Sequence, residues 1–353
     1  MTKHCKNCGM PDTRPGIHFN EVGICQGCIY EKQKNEIDWY KRWCNLERLI
    51  DSYPSYTDYD CIIAVSGGKD SYFQTYTFKE GLGLKCLLVC IDDGFTHTKA
   101  GIHNLKNMAK VFDCDLFVYK LKPQIQKKIM RYTFENYNKP FWIFDQMIYT
   151  VPIWMAFKFN IPIVVYGENI SVTRGLKGGK DTGYAGKQFY NTVVSDIRIE
   201  DVVKECGLSL EDVSLVKVPD LQGGAIYPLY TSYFVRWDAY ENYQFAKSRG
   251  FKTLEREWCR WGGFMNYWQI DSFGYLMAFY SKWNNLGHSG FTDCVCELIR
   301  AGHITKEEGL RQIDIWEGFF DLNAMNDFCN ILGYTKKEVC EINKDFYREE
   351  NHD

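Results

Sequence analysis

A surplus of positive charge is missing from this 353-residue chain: 42 Lys and Arg face 45 Asp and Glu, for a formal net charge of −3 and a pI near 6.2. That balance argues against a broadly basic nucleic-acid surface and leaves at most a local patch. Long apolar runs are missing too. None is long enough to span a bilayer, and Met1 to Cys5 lacks the apolar stretch of a signal peptide. The expectation is a cytoplasmic protein with no membrane partner. No internal repeat stands out. What remains is an ordinary globular composition, 45% hydrophobic and 25% charged, on a chain long enough for a large core plus one or two smaller units.

Cysteine is abundant instead. Fifteen in a chain of this size do not suggest a secreted disulfide scaffold, and Cys61, Cys86 and Cys90 sit in apolar runs as packing residues. Cys5 with Cys8, and Cys25 with Cys28, form two C-x2-C knuckles separated by 16 residues. That spacing matches a zinc ribbon, in which four thiolates close a tetrahedral and usually structural site. An iron–sulfur cluster on the same cysteines is the lesser alternative. His4 and His18 are surplus to a completed site, and Cys294-Val-Cys296 is too closely spaced for a further knuckle. Aromatic residues, 16% of the chain, are dense over 132–159 and 227–283. They read first as core packing, with a cleft for a flat ring as the sharper alternative.

The organising stretch is 59–71, Tyr-Asp-Cys-Ile-Ile-Ala-Val-Ser-Gly-Gly-Lys-Asp-Ser. Cys61 to Val65 is a short β-branched run suited to the middle of a parallel sheet. Gly67 and Gly68 allow a tight turn and close approach of a ligand, and a helix over about 70–79 follows. Ser66 and Ser71 offer hydroxyls, Lys69 a point charge, Asp70 a metal ligand, and the helix start offers free N–H groups. The spacing fits neither the Walker loop nor the dinucleotide fingerprint. Ser-Gly-Gly-Lys-Asp-Ser instead resembles the PP-loop of the ATP pyrophosphatases, the adenine nucleotide α-hydrolase-like superfamily. The resemblance implies cleavage of ATP between its α and β phosphates, with AMP passed to a substrate oxygen and pyrophosphate released.

Around this stretch the pattern alternates. An amphipathic helix is expected over 31–50, with Ile37, Tyr40, Trp43, Leu46 and Ile50 on its apolar face and Pro54 beyond its end. A strand over 84–91 ends at Asp92 and Asp93, a helix follows over 98–112, and another strand over 115–119. Helical, aromatic-rich sequence over 124–159 leads to a strand over 161–166, ending at Gly167-Glu168-Asn169. This predicts an α/β fold with a doubly wound parallel sheet, whose ligands lie beyond the strand C-termini. Asp92 would then meet the nucleotide ribose or a metal, and Glu168 would share Mg2+ with Asp70. The basic loop over 173–187 reads as a lid in which Arg174, Lys177 and Lys180 engage phosphates, with Asn169 at its root. Its second Gly-Gly-Lys-Asp, at 178–181, follows no strand and is not a second phosphate loop. Beyond 220 the sequence reads as mainly helical, with capping boxes at Thr305–Glu308 and Thr335–Glu338, and with Arg236, Trp237 and His288 as substrate-cleft candidates. The expected segments are a ribbon at 1–30, a linking helix at 31–58, a PP-loop domain at 59–230 and a helical region at 231–353.

A narrower resemblance rests on the N-terminal Cys-x-x-Cys-Gly-Met-Pro-Asp-Thr-Arg-Pro-Gly-Ile block, the Ser-Gly-Gly-Lys-Asp-Ser loop, Gly167-Glu168-Asn169 and the Arg-x-Gly-x-Ile-Thr-Lys-Glu-Glu run at 300–308. These are similar to the N-acetyl sugar amidotransferases of surface polysaccharide (lipopolysaccharide) and nonulosonic acid synthesis, such as pseudaminic and legionaminic acid. The resemblance implies ATP and Mg2+ as cofactors beside structural Zn2+. It also implies a reaction in which the acetamido oxygen of an N-acetylated nucleotide sugar takes AMP and ammonia then displaces it, leaving an acetamidino group. Ser66, Gly67, Gly68, Lys69 and Ser71 would hold pyrophosphate. No glutaminase pattern is visible, so ammonia is expected from a separate glutaminase subunit. The alternative is a tRNA 2-thiolation enzyme, against which the acidic balance stands.

Overall fold

The computed structural model describes residues 2–14, 16–175, 179–186, 197–217, 221 and 223–345. They form two compact units, one from residues 39–168 and 182–275, the other from 1–38, 169–181 and the part after 276. Residues after Tyr230 therefore contribute to both.

The first unit holds a five-stranded, wholly parallel sheet: β1 (Cys61–Val65), β2 (Cys86–Asp92), β3 (Asp115–Lys120), β4 (Ile163–Tyr166) and β5 (Tyr227–Tyr230), in the order β3-β2-β1-β4-β5. β1 is central, and Cys61, Ile62 and Ile63 are fully buried because both faces of the strand are covered. β4 is buried along its whole length. The order reverses between β1 and β4, which creates a crevice beyond their C-terminal ends. The helix Trp142–Phe159 packs on β1, β2 and β4, and it is buried almost all round despite Pro152 within it. The helix Lys69–Tyr76 runs on into a wider π turn at Thr77–Gly81 and packs against the helix Ala239–Ser248 through Phe73, Tyr76 and Phe245.

Two details differ from expectation. β5 emerges from Tyr-Pro-Leu-Tyr, a run too short and too interrupted by Pro228 to read as a strand; it is tolerated because an edge strand needs its ladder on one side only. The helix expected over 31–50 is two helices, Gln26–Gln33 and Trp39–Ser52, separated by a polar stretch. The second starts at Trp39, so Tyr40 lies 78% exposed while Leu46 is fully buried.

The other unit contains the cysteine knuckles, the short helix Ile170–Thr173, and the helices Met277–Leu286, Gly290–Ala301, Lys306–Trp316, Leu322–Leu332 and Lys336–Asp345. Leu322–Leu332 lies outside the helices singled out in the sequence, although Asp321 caps its start and Gly333 closes its end in the left-handed conformation. The box at Thr335 is complete, with Thr335 accepting from the Glu338 amide at 3.2 Å and Glu338 accepting from the Thr335 amide at 2.6 Å. At Thr305 only the first half forms, because the Glu308 carboxylate turns to Arg311 and Gln312. Among the described residues no helix is long and apolar enough to cross a membrane.

Candidate functional site

The loop after β1 is braced by its own hydroxyls. Ser66 Oγ accepts from the Gly68 amide at 3.2 Å, and Ser71 Oγ accepts from the Ser66 amide at 3.1 Å. Gly67 has φ +88°, and a Cβ there would lie 3.0 Å from the Leu105 backbone, so both conformation and space require glycine. Gly68 occupies the N-cap of Lys69–Tyr76 without a side-chain cap, and the Ser71 amide already donates to the Gly68 carbonyl at 3.0 Å.

Lys69 is only 5% exposed. A buried ammonium needs partners. It has Asp70 Oδ2 at 2.5 Å and the face of Trp268, whose centre lies 3.8 Å away. Asn242 Nδ2 donates to the other oxygen of Asp70 at 2.8 Å. Across the crevice, Gln74 Nε2 donates to the Val165 carbonyl at 2.9 Å and Thr231 Oγ1 to the Tyr166 carbonyl at 2.8 Å, fixing the end of β4. The β1–β4 ladder pairs Ile63 with Val165, and the same offset carried onward levels Ser66 with Glu168. Among the described residues, Glu168 Oε1 is buried with no hydrogen-bond partner. An orphaned carboxylate oxygen of this kind fits a cation, whereas both oxygens of Asp70 already have partners in Lys69 and Asn242.

On the other side of β1, the end of β2 carries a tight acidic group. Asp92 accepts from the Gly94 amide at 2.7 Å, His97 at 3.3 Å and Lys120 at 3.1 Å. Burial opposes its ionisation, but His97, the Gly94 amide and Lys120 outweigh it and hold the carboxyl below the usual range. Asp93 accepts from the Phe95 amide at 3.0 Å and from Ser272 Oγ at 2.5 Å, and burial pushes it up. Nearby Asp271, its Oδ1 buried and without a partner among the described residues, is pushed up to about 7 by burial and then by Asp93. His97 is raised, chiefly by its bond to Asp92. Asp92, Asp93 and His97 lie close enough to share a metal, although Lys120 already supplies a positive charge to Asp92.

In the other unit, the four cysteines Cys5, Cys8, Cys25 and Cys28 are buried with their sulfurs within 4.8 Å of one another. Cys5 and Cys28 sulfurs lie 3.8 Å apart and those of Cys8 and Cys25 3.7 Å. A tetrahedron with zinc–sulfur bonds of about 2.3 Å has edges of about 3.8 Å, so this group could hold structural zinc. The Cys25 amide donates to Cys5 Sγ and Asn7 Nδ2 to Cys28 Sγ, both at 3.2 Å, as thiolate ligands require. The ribbon lies on the C-terminal run singled out in the sequence: Cys296 Sγ donates to the Cys8 carbonyl at 3.1 Å, and Lys306 Nζ to the Lys6 carbonyl at 2.8 Å. A Cβ on Gly27 would fall 2.2 Å from an Arg300 nitrogen.

The expected lid residues have other company. Asn169 sits at the N-cap of Ile170–Thr173, yet its side chain does not cap and Nδ2 instead donates to the Lys180 carbonyl at 3.1 Å. Arg174 pairs with Asp293 at 3.0 Å, and Lys177 lies outside the described residues. His288 is buried beside Asp293, 3.7 Å away. Sequence reading missed Lys120, at the end of β3, and Asn242, Trp268, Asp271 and Ser272, which come from far along the chain and stand in no motif of their own.

These features define an α/β protein with a glycine-turn loop at the switch point of its sheet and a buried four-cysteine group. Residues 229–352 match a family model described as LPS biosynthesis protein WbpG-like, C-terminal domain. The chain is also 30% identical over 114 residues to an uncharacterized protein of Methanocaldococcus jannaschii, covering 30% of this chain and 38% of that protein. It therefore spans well under half the length of the curated relative it matches. The span matched by the family model begins within β5 and includes Asn242, Trp268, Asp271, His288 and Asp293.

Proposed function

We propose that this protein is an ATP-dependent amidotransferase that converts the N-acetyl group of a nucleotide-activated sugar to an acetamidino group. The acetamido oxygen attacks the α-phosphorus of ATP, pyrophosphate leaves, and ammonia then displaces AMP from the adenylylated carbon. Ser66, Gly67, Gly68, Lys69 and Ser71 hold the departing pyrophosphate, and Lys69, already buried and aimed by Asp70 and Trp268, neutralises the charge that develops there. Glu168, with Asp70 once released from Lys69 or Asn242, would hold Mg2+, and Asp92 would meet the nucleotide. Ammonia comes from a separate glutaminase subunit. The observation that carries this reading is a hydroxyl-braced glycine turn and a buried lysine at the switch point, with a carboxylate oxygen beyond β4 that lacks a partner among the described residues. The match of residues 229–352 to an LPS biosynthesis model is consistent with a sugar-modifying biosynthetic enzyme.

The test is product analysis by mass spectrometry after incubation with ATP, Mg2+, ammonium and a panel of N-acetylated nucleotide sugars. A sugar lighter by the difference between O and NH, with one AMP per sugar, is the expected result. AMP released only with tRNA and a sulfur donor would overturn it in favour of RNA thiolation.

A further inference from the structure

The last turn of the helix Gly290–Ala301 carries a cation that no carboxylate clasps. Arg300 donates from Nε to the Cys296 carbonyl at 3.1 Å and from Nη1 to the Thr173 carbonyl at 3.2 Å. Among the described residues it forms no ion pair, and Glu297 acts on it only at a distance. Two neutral carbonyls orient a guanidinium in a half-buried place without balancing its charge.

The four-cysteine group has the opposite need. Four thiolates around one Zn2+ leave a net negative charge, and these cysteines are each at most 1% exposed, so water does little to offset it. The donors already on the sulfurs, the Cys25 amide and Asn7 Nδ2, are neutral.

Arg300 reaches both knuckles. Cys296, whose carbonyl it holds, donates through Sγ to the Cys8 carbonyl at 3.1 Å. Against the second knuckle it fills the space left by the missing side chain of Gly27, where a Cβ would fall 2.2 Å from Nη1 and 3.4 Å from Cζ. Burial works against its charge, but Cys8, Glu297, Cys296 and Cys25 outweigh burial and hold its pKa above the ordinary value. Cys8 and Cys25 come one from each knuckle.

We propose that Arg300 is the cation that balances the four thiolates once zinc is bound, and that its charge, more than its two hydrogen bonds, sets how tightly the cysteine group holds the metal. Arg300 is a positioning residue here, not a ligand. This role lies apart from the loop after β1 and does not depend on what that loop binds.

The test measures zinc affinity of the full chain by competition with a chromogenic chelator, and the ligand set by the absorption spectrum of the Co2+-substituted chain. Arg300→Gln keeps an N–H donor for the carbonyls and removes the charge. It should weaken zinc at least ~10-fold while Co2+ still reports four sulfurs. Arg300→Lys keeps the charge and should stay within about threefold of the parent. Gly27→Ala, at a helical position that accepts alanine, keeps Arg300 but pushes the guanidinium aside; it should weaken zinc at least ~3-fold in the parent and change nothing further in the Arg300→Gln chain. Where Arg300→Gln does not fold, Gly27→Ala in the parent decides alone. Zinc held as tightly by Arg300→Gln as by the parent overturns the proposal, as does an Arg300→Lys chain as weak as Arg300→Gln, or a Gly27→Ala chain as tight as the parent.

Discussion

Lys69 keeps its charge inside the protein because Asp70 and the Trp268 ring together replace the water it has lost. Replacing it by methionine preserves the contact with Trp268 and leaves Asp70 paired to Asn242. Lys69→Met is therefore expected to lower AMP formation by at least ~100-fold while circular dichroism shows an intact fold; retained activity would remove Lys69 from the reaction. His288 makes a second residue-scale prediction. Its folded pKa of about 4 lies below the ordinary 6.5, so on acidification the unfolded chain takes up the proton first. Stability present above pH 6.5 should be lost progressively towards pH 4, by up to ~3 kcal/mol. Urea titrations across that window measure the slope, and His288→Gln should flatten it. Both residues stand in plain view in the sequence. Lys69 was assigned through its neighbours in a motif, whereas the meaning of His288 depends on Asp293 and Thr13, which no local pattern joins to it.

At the scale of elements, legibility followed continuous apolar runs, and the mostly exposed β3 was legible by its run as well. β1, β2 and β4 read as strands because a strand covered on both faces is a continuous apolar run. β5, at the edge and broken by Pro228, has no such run, and the break between Gln26–Gln33 and Trp39–Ser52 lies in polar sequence that a helical periodicity passes over. The rim of the site divides in the same way. Ser66 to Ser71 and Glu168 follow directly from strand ends, while Asn242, Trp268 and Ser272 come from later segments whose course only the fold reveals. Caps were the most local signal, and the two boxes differ in a measurable way. Thr335→Ala removes the hydroxyl that accepts from the Glu338 amide and donates to the Glu338 carboxylate, and should cost about 1 kcal/mol. Thr305→Ala removes one bond and should cost less, by the difference in urea midpoints at unchanged m; equal costs would deny the Thr335 hydroxyl–carboxylate bond its contribution.

For the molecule as a whole, the four-cysteine group, which could hold zinc, and the C-terminal helices fall in one compact unit. Cys296 and Lys306 hold the knuckle carbonyls of Cys8 and Lys6, and Gly27 leaves room for Arg300. Removing the metal with a chelator should raise amide exchange within Gly290–Ala301 as well as over 5–28. Exchange that rises over 5–28 alone would separate the ribbon from its bed. The division into two units, each assembled from distant segments, is the feature least visible in a linear reading, because chain order says nothing about which segments return.

That return sets a schedule for the nascent chain. The knuckles leave the ribosome early, but the carbonyls of Lys6 and Cys8 find their donors only when Cys296 and Lys306 follow. At about 5–20 residues per second the interval is on the order of 15–60 s. For that time the ribbon carries an uncovered face, and capture of zinc by its four cysteines is what can keep it folded until the far end of the chain arrives.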